Sequence, residues 1–376
     1  MPRIFIATGE ASGDLHGAHL AKALREADPS VELHGVGGAQ MAAVPVTLLD
    51  GIERVDVIGI PGPGAIGQAL RNLRRIGEYL RRTKWDAVVL VDHPGTNLRL
   101  ARLAKAAGHR VVYYVTPQLW AWRPSRIRAI QRYVDHVAVI LPFEAELYRK
   151  AGVRCTFVGH PLLDTVPTSY DQSALRERFA QTSASPVIGL LPGSREQEVR
   201  RILPLLLDAA KELAREFPKM GVVLAQAVSV SDKWLAGPIR ASGLPVRVVR
   251  DQASEVMAAS DLLLIASGTA TLQGAIVGTP MVITYRMPWL GFLLAKLLVR
   301  VQWIGLANLV AGRGIVPELI QHRATARRVA EEATRLLQDR KAWATMRNEL
   351  LAVRAALGGP GASRRAAEVV LAECRA

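Results

Sequence analysis

The strongest restriction on the fold is a rhythm: apolar runs of strand length, each closed by small or polar residues and followed by a helical pattern. Arg3 to Thr8 reads as a strand, Ser12 to Ala27 as a helix, and Val31 to Val36 and Asp86 to Val91 as strands. A helix from about Asn97 to Ala107 follows, then a strand Arg110 to Val115, a helical Arg126 to Tyr133 and a strand His136 to Leu141. The second half repeats the alternation with strands Val187 to Leu191, Val222 to Gln226, Val246 to Val249, Leu262 to Ile265 and Met281 to Thr284. Its helices start at Glu196 and Thr269 and cross Ser254 to Ala259. Strands separated by helices imply a parallel sheet with crossovers. An α/β fold of two doubly wound halves with a cleft between them is the simplest architecture.

At 376 residues the chain exceeds a usual single domain, so two domains are expected. Cys155 to Thr168 carries three structure breakers and leads into the polar stretch Ser169 to Ser173, which places the linker there. The expected domains are therefore 1–165 and 166–376, the second including the helical patterns from Ala324 onward. Only two cysteines occur, far apart and without ligand-like spacing, which argues against a disulfide framework or a zinc site. The N-terminal run Ile4-Phe5-Ile6 is too short for a signal-peptide core, so a reducing cytoplasm is expected.

Forty-eight basic against 33 acidic side chains give a formal charge of +15, which favours an anionic partner: nucleic acid, a phospholipid surface or a phosphorylated substrate. Charge does not choose among them. The nearest candidate for a span, Pro288 to Val310, is broken by Lys296, Arg300 and Gln302. Trp289, Leu290, Phe292, Leu293 and Trp303 fit an interfacial segment with Lys296 and Arg300 in the phosphate layer, and fit a buried core helix equally.

In open parallel sheets ligands bind at the carboxyl ends of strands, so the residues after each strand matter most. The turn Pro192-Gly193-Ser194-Arg195 breaks an apolar strand and opens a helix, joining free backbone N–H groups to a hydroxyl and a fixed cation, a setting for a diphosphate. On local spacing alone the same residues read equally as an N-cap and a solvated charge. Ser267-Gly268-Thr269-Ala270-Thr271 is a second helix start rich in donors. Gly9 to Gly17 brings Glu10, Ser12, Gly13, Asp14 and His16 after the first strand, where Ser12 and Asp14 also suit a helix cap. Asp92-His93-Pro94-Gly95-Thr96-Asn97 sets a carboxylate, a candidate general base, at another strand end, and also suits an Asx-type turn. Neither donor turn is a Walker sequence, and the first-strand turn lacks dinucleotide spacing.

Seven stretches, in order, resemble the motif series of the lipid-A-disaccharide synthase family. They are GEASGD (Gly9 to Asp14), Trp120-Ala121-Trp122-Arg123, Leu141-Pro142-Phe143-Glu144, Val158-Gly159-His160-Pro161, LPGSR (Leu191 to Arg195), ASGTATL (Ala266 to Leu272) and ANLVAGRGIVPE (Ala307 to Glu318). The resemblance implies a GT-B fold, two Rossmann-like domains facing across a cleft. It implies inverting transfer of 2,3-diacylglucosamine from UDP-2,3-diacylglucosamine to the 6-hydroxyl of 2,3-diacylglucosamine 1-phosphate, with release of UDP and without a metal or other cofactor. By this resemblance Asp92 is the general base with Glu10 its competitor. Gly193, Ser194, Arg195, Ser267, Gly268, Thr269, Ala270, Thr271, Gln273 and Asn308 hold the donor, and Ser12, Gly13, Asp14 and His16 lie on the acceptor side. His16 reads more readily as structural than as catalytic.

The chain departs from the family twice. Gly95 and Thr96 replace a second aspartate and a phenylalanine, and Gln273 replaces a glutamate that accepts from ribose hydroxyls. Glutamine still accepts through its carbonyl but without charge assistance, so weaker nucleotide binding is expected. Acylated substrates give a role to Val57 to Leu70, as an acyl-accommodating flap, and to Arg71, Arg74, Arg75, Arg81 and Arg82, as contacts to an anionic membrane surface. An enzyme peripheral to the cytoplasmic face of the inner membrane follows, with no nucleic acid as partner; the oligomeric state stays open, a homodimer included. The alternatives are a sugar-nucleotide epimerase or a transferase with a soluble acceptor and, more remotely, a nucleic-acid-binding protein using Trp120, Trp122, Arg123, Arg126 and Arg128.

Overall fold

The computed structural model describes residues 1–9, 11–50, 52, 63–120, 124–179, 184–289, 292 and 301–375. They separate into two units, Met1–Asp164 with Leu357–Ala376, and Thr165–Ala356. Among the described residues the first unit holds a seven-stranded sheet of β1 (Arg3–Thr8), β2 (Glu32–Val36), β3 (Thr47–Leu48), β4 (Ala87–Val91), β5 (Arg110–Tyr114), β6 (His136–Val139) and β7 (Cys155–Phe157). Their spatial order is β3-β2-β1-β4-β5-β6-β7, and each neighbouring pair is parallel. β4 is buried along its whole length, as a parallel strand covered by helices on both faces must be.

Alternate side chains of β1 feed two cores. Ile4 and Ile6 point into the layer of Leu20 and Leu24 from the helix Ala11–Ala27, while Phe5 and Ala7 join Ile76 and Leu80 of the helix Pro63–Arg82. Each fully buried Ile, Leu or Phe among them contributes about 1.5–3 kcal/mol.

The last helix, Ala362–Cys374, corrects the expected domain limits. It buries Ala366, Ala367 and Val370 in the core shared by Leu20, Leu24 and Val89 of the first unit, not in the second. Its Glu373, 1% exposed, is held by Arg154 at 2.8 Å and His136 at 3.0 Å. The expected linker also begins too early, since Cys155–Phe157 is edge strand β7 and the units divide between Asp164 and Thr165.

The second unit contains, among the described residues, a six-stranded sheet of β8 (Val187–Leu191), β9 (Gly221–Gln226), β10 (Val246–Arg250), β11 (Leu262–Ala266), β12 (Met281–Tyr285) and β13 (Glu318–Ile320), in the order β10-β9-β8-β11-β12-β13. All its pairs are parallel. In each sheet the chain winds outward one way from the first strand, returns, and winds the other way. The reversal falls between β1 and β4 in one unit and between β8 and β11 in the other, and there the turns diverge and leave a crevice at the carboxyl edge.

Of the expected acyl flap, residues 57–62 lie outside the described residues, and 63–70 open the helix Pro63–Arg82. Of the apolar stretch 288–310, residues 290, 291 and 293–300 lie outside them; Trp289 is 67% exposed, and Leu306–Ala311 is a short helix. No helix of the described residues is long and apolar enough to cross a membrane.

Candidate active site

Both expected donor turns flank the β8/β11 crevice. After β8, Gly193 has φ +116, and a Cβ there would lie 2.7 Å from Glu198 Oε2, so only glycine fits the turn. Ser194 and Arg195 are exposed, and the Ser194 carbonyl accepts the Ser229 hydroxyl at 2.6 Å. Arg195 caps the helix Glu196–Glu216, its N–H donating to Glu198 Oε2 at 3.3 Å. Its guanidinium, 64% exposed, lies 3.4 Å from Glu198 Oε1. At that exposure the pair is weak, and the cation is within reach of an anion at the helix start.

After β11, Ser267 is fixed from both sides, its N–H donating to the Thr284 carbonyl at 3.0 Å and its hydroxyl to the Ile304 carbonyl at 3.1 Å. Gly268 and Thr269 are exposed and Ala270 half-buried where the helix Thr269–Val277 begins, so the first N–H groups of that helix face outward. Thr271 differs from expectation: it is fully buried, and both its hydroxyl (2.8 Å) and its N–H (3.1 Å) are donated to the Gly268 carbonyl. It shapes the turn and leaves the ligand to its neighbours. Gln273 sits one helical turn on, half-buried. The sequence reading missed Tyr285 at the end of β12. Burial raises its hydroxyl pKa, Glu198 raises it further, and Arg195 and Arg201 oppose them, which places the phenol among the charges of the first turn.

Asn308 is a second correction. It is completely buried, with Nδ2 donating to the Val316 carbonyl (2.9 Å) and Glu318 Oε1 (2.7 Å), and Oδ1 accepting from the N–H groups of Ile315 and Val316 (both 2.9 Å). Every polar valence of the amide is occupied by protein, so none remains for a nucleotide. Glu318 completes the knot by accepting from Ile304 N and Gly305 N, both at 2.9 Å, and Ile304 is the residue that anchors Ser267. Asn308 therefore supports the second turn from behind.

In the first unit, the residues after β1 and β4 meet. Asp92 and His93 have φ +54 and +42, two consecutive left-handed residues without a glycine, at about 1–3 kcal/mol each. Four bonds hold the strained turn. Asp92 N donates to the Tyr114 carbonyl (3.1 Å), the Asp92 carbonyl accepts from Tyr113 Oη (2.8 Å) and Asn97 Nδ2 (2.7 Å), and Asn97 Nδ2 also reaches the Val91 carbonyl (3.0 Å). The half-buried Asp92 carboxylate accepts the exposed Ser12 hydroxyl at 3.1 Å. Gly13 brings the helix this close, since a Cβ there would sit 3.3 Å from the Val91 carbonyl oxygen.

Burial lowers the His16 pKa although Asp92 raises it, and its Nδ1 is buried with no hydrogen-bond partner among the described residues. Burial and then His16 push His160 down to about 3, and His160 Nδ1 accepts from Leu162 N at 3.2 Å. Burial thus disfavours the charged form of both imidazoles, of which His16 feels the Asp92 carboxylate and His160 feels His16. Asp14 corrects its expected place on the acceptor side: it is 2% exposed, and its carboxylate accepts from Gly38 N (2.5 Å), Gln40 N (2.9 Å) and Met41 N (3.4 Å), fixing the turn after β2. Glu10, Ala121, Trp122 and Arg123 lie outside the described residues. Among the described residues no group of His, Cys, Asp and Glu is placed to hold a metal ion.

Two doubly wound parallel sheets, each with polar turns at its reversal point, define a two-domain GT-B fold. The UDP-GlcNAc 2-epimerase of Neisseria meningitidis, solved bound to UDP-GlcNAc, superposes with a TM-score of 0.65 at 12% identity over 98% of this chain and 100% of that one. A transferase from Siraitia grosvenorii in complex with UDP superposes at 0.63 with 11% identity over all of both chains. The family model described as lipid-A-disaccharide synthetase matches residues 4–372. The lipid-A-disaccharide synthase of Trichlorobacter lovleyi is 43% identical over 374 residues, 98% of this chain and 97% of that protein. That of Myxococcus xanthus is 41% identical over 371 residues, again 98% and 97%. The chain belongs to the lipid-A-disaccharide synthase family, and is a glycosyltransferase of lipid A biosynthesis.

Proposed function

We propose that the chain moves 2,3-diacylglucosamine from UDP-2,3-diacylglucosamine to the 6-hydroxyl of 2,3-diacylglucosamine 1-phosphate, with the second unit holding the donor and the first presenting the acceptor and its base. The observation that carries the division of labour is the strained turn at Asp92. The chain sustains two left-handed non-glycine residues there and pins them with four hydrogen bonds, which fixes a carboxylate at the crevice of the first sheet.

In this reading Asp92 accepts the proton of the 6-hydroxyl as that oxygen attacks the anomeric carbon from the face opposite the leaving group. The bond from that carbon to the diphosphate oxygen breaks, and UDP departs with the electron pair. Arg195, the Gly193-Ser194 turn and the N–H groups of Thr269 and Ala270 take up the diphosphate charge, so the barrier falls by electrostatics set before the reaction begins. Ser12 holds the Asp92 carboxylate at 3.1 Å. Gln273, one turn into its helix, offers the ribose a neutral acceptor.

The helix Pro63–Arg82 supports attachment to the cytoplasmic face of an anionic membrane. It exposes Arg71, Arg74, Arg75, Arg81 and Arg82, and its single acidic residue, Glu78, pairs with Arg74 at 3.0 Å. Near anionic headgroups each such arginine contributes about 1 kcal/mol.

The test is transfer between the two defined substrates. The purified chain is expected to make a β-linked disaccharide 1-phosphate and UDP in equal amounts, and only when both substrates are present. UDP release that ignores the acceptor, or an epimerised donor, would replace this reading with the soluble sugar-nucleotide one.

A further inference from the structure

The turn after β5 is held as firmly as the Asp92 turn beside it, for a reason that neither the base nor the donor site supplies. Val115 has φ +55, which a β-branched residue adopts only under constraint, and Thr116, Pro117 and Leu119 are buried before the half-buried Trp120. From the β6 side, the helix Pro142–Lys150 presents Glu144, 2% exposed, whose carboxylate accepts the Trp120 indole N–H at 3.0 Å and the Leu141 N–H at 3.3 Å. The Phe143 ring meets the indole at 5.2 Å and 85°, edge to face. Burial pushes the Glu144 carboxyl up to about 7. An exposed glutamate would cap the same helix without that desolvation, so capping alone does not account for a buried one. What the burial secures is a fixed plane for the Trp120 ring.

β4, β5 and β6 are consecutive neighbours, and all three of these turns leave the same edge of the sheet. Neighbouring strands lie about 4.8 Å apart, so the turn that carries Asp92 and the turn that leads to Trp120 leave the sheet one strand spacing apart. One pyranose ring spans such a gap. We propose that the face of Trp120 is the platform on which the acceptor sugar ring rests, its axial C–H groups against the indole and its 6-hydroxyl toward Asp92, with Glu144 as the positioning residue that sets the ring plane. This rests on the proposed transfer reaction and adds the residue that recognises the acceptor's sugar.

The test is steady-state kinetics on the full chain, with the acceptor and donor varied in turn and UDP binding measured by calorimetry. Trp120→Ala is expected to raise the acceptor KM about tenfold or more while the donor KM and the UDP Kd stay within about twofold. Glu144→Gln, whose carbonyl still accepts the indole N–H, keeps the acceptor KM within about threefold, whereas Glu144→Leu raises it as Trp120→Ala does. Should Trp120→Ala fail to fold, Trp120→Phe, which keeps a ring and loses the bond to Glu144, carries the test with an intermediate rise. An unmoved acceptor KM in the folded variants overturns the platform, as does a donor KM or UDP Kd that rises in step with it. A wild-type chain that transfers nothing removes the proposed function and this inference with it. An active wild type with an indifferent Trp120 removes the inference alone.

Discussion

Asn308→Asp separates a supporting residue from a ligand-binding one. The substitution is isosteric, yet it puts a carboxylate oxygen 2.7 Å from Glu318 Oε1 and 2.9 Å from the Val316 carbonyl, where the amide now donates to both, at a side chain with no exposure to water. Two buried hydrogen bonds are lost and two like charges brought together, a loss of about 3–5 kcal/mol. In a unit the size of Thr165–Ala356 each kcal/mol moves the melting temperature by about 2–4 °C, so a fall of roughly 10 °C is expected. Scanning calorimetry reads it, and UDP titration well below the new transition reads the site. Adding Glu318→Gln, which supplies an amide donor toward the introduced carboxylate, recovers part of the loss. An unchanged melting temperature with weakened UDP binding would refute the reasoning and return Asn308 to the nucleotide.

Other consequences follow from the same geometry. His160 is neutral in the fold, its pKa lowered from 6.5 to about 3 by burial, so its contribution is complete above pH 6.5 and is lost as pH falls toward 3. Urea unfolding at pH 7 and pH 5 is expected to lose about 2 kcal/mol through this residue, and His160→Gln to lose that much less; equal losses in both proteins would dismiss the assignment. Gly193→Ala strains a backbone at φ +116 and drives a methyl against Glu198, so UDP affinity falls about tenfold by calorimetry, and unchanged affinity would mean that the turn does not grip the diphosphate. Glu144, ordinarily ionised above pH 4.5, has its pKa raised to about 7, so folding loses stability as pH rises between those values, by about 3 kcal/mol at most. Glu144→Gln removes that slope in urea titrations, and a slope that persists would place its origin elsewhere.

The alternation of Val187 to Leu191 with the helix from Glu196, and its repetition through Met281, was legible because parallel strands buried on both faces read as unbroken apolar runs. For the same reason the turns at Gly193 and Ser267 were legible: a breaker after such a run marks a carboxyl end. The strand order was not, since periodicity says that strands are parallel and nothing about which lie side by side. Helical spacing from Ala362 to Cys374 likewise shows an apolar face without naming the sheet it covers, and that helix went to the wrong unit. The short edge strands β3, β7 and β13 have too few residues to show a period. Among polar residues the limit is partnership. Asp14, Thr271 and Asn308 carry the atoms a ligand would want, but their partners, Gly38 to Met41, the Gly268 carbonyl and the segment Ile315 to Glu318, are set by the fold. Tyr285 carried no signal at all, because an aromatic residue at the end of an apolar strand looks like more core.

The central claim is that grip on the diphosphate and acceptance of the proton belong to different units, at Arg195 and Asp92. UDP titration calorimetry, paired with the rate of disaccharide formation in Asp92→Asn and Arg195→Gln, tests it most directly. Asp92→Asn is expected to bind UDP as the wild type does while transfer falls about 10²–10⁴-fold, and Arg195→Gln to weaken UDP binding by about tenfold or more. Wild-type turnover by Asp92→Asn, or an unchanged UDP Kd in Arg195→Gln, contradicts it.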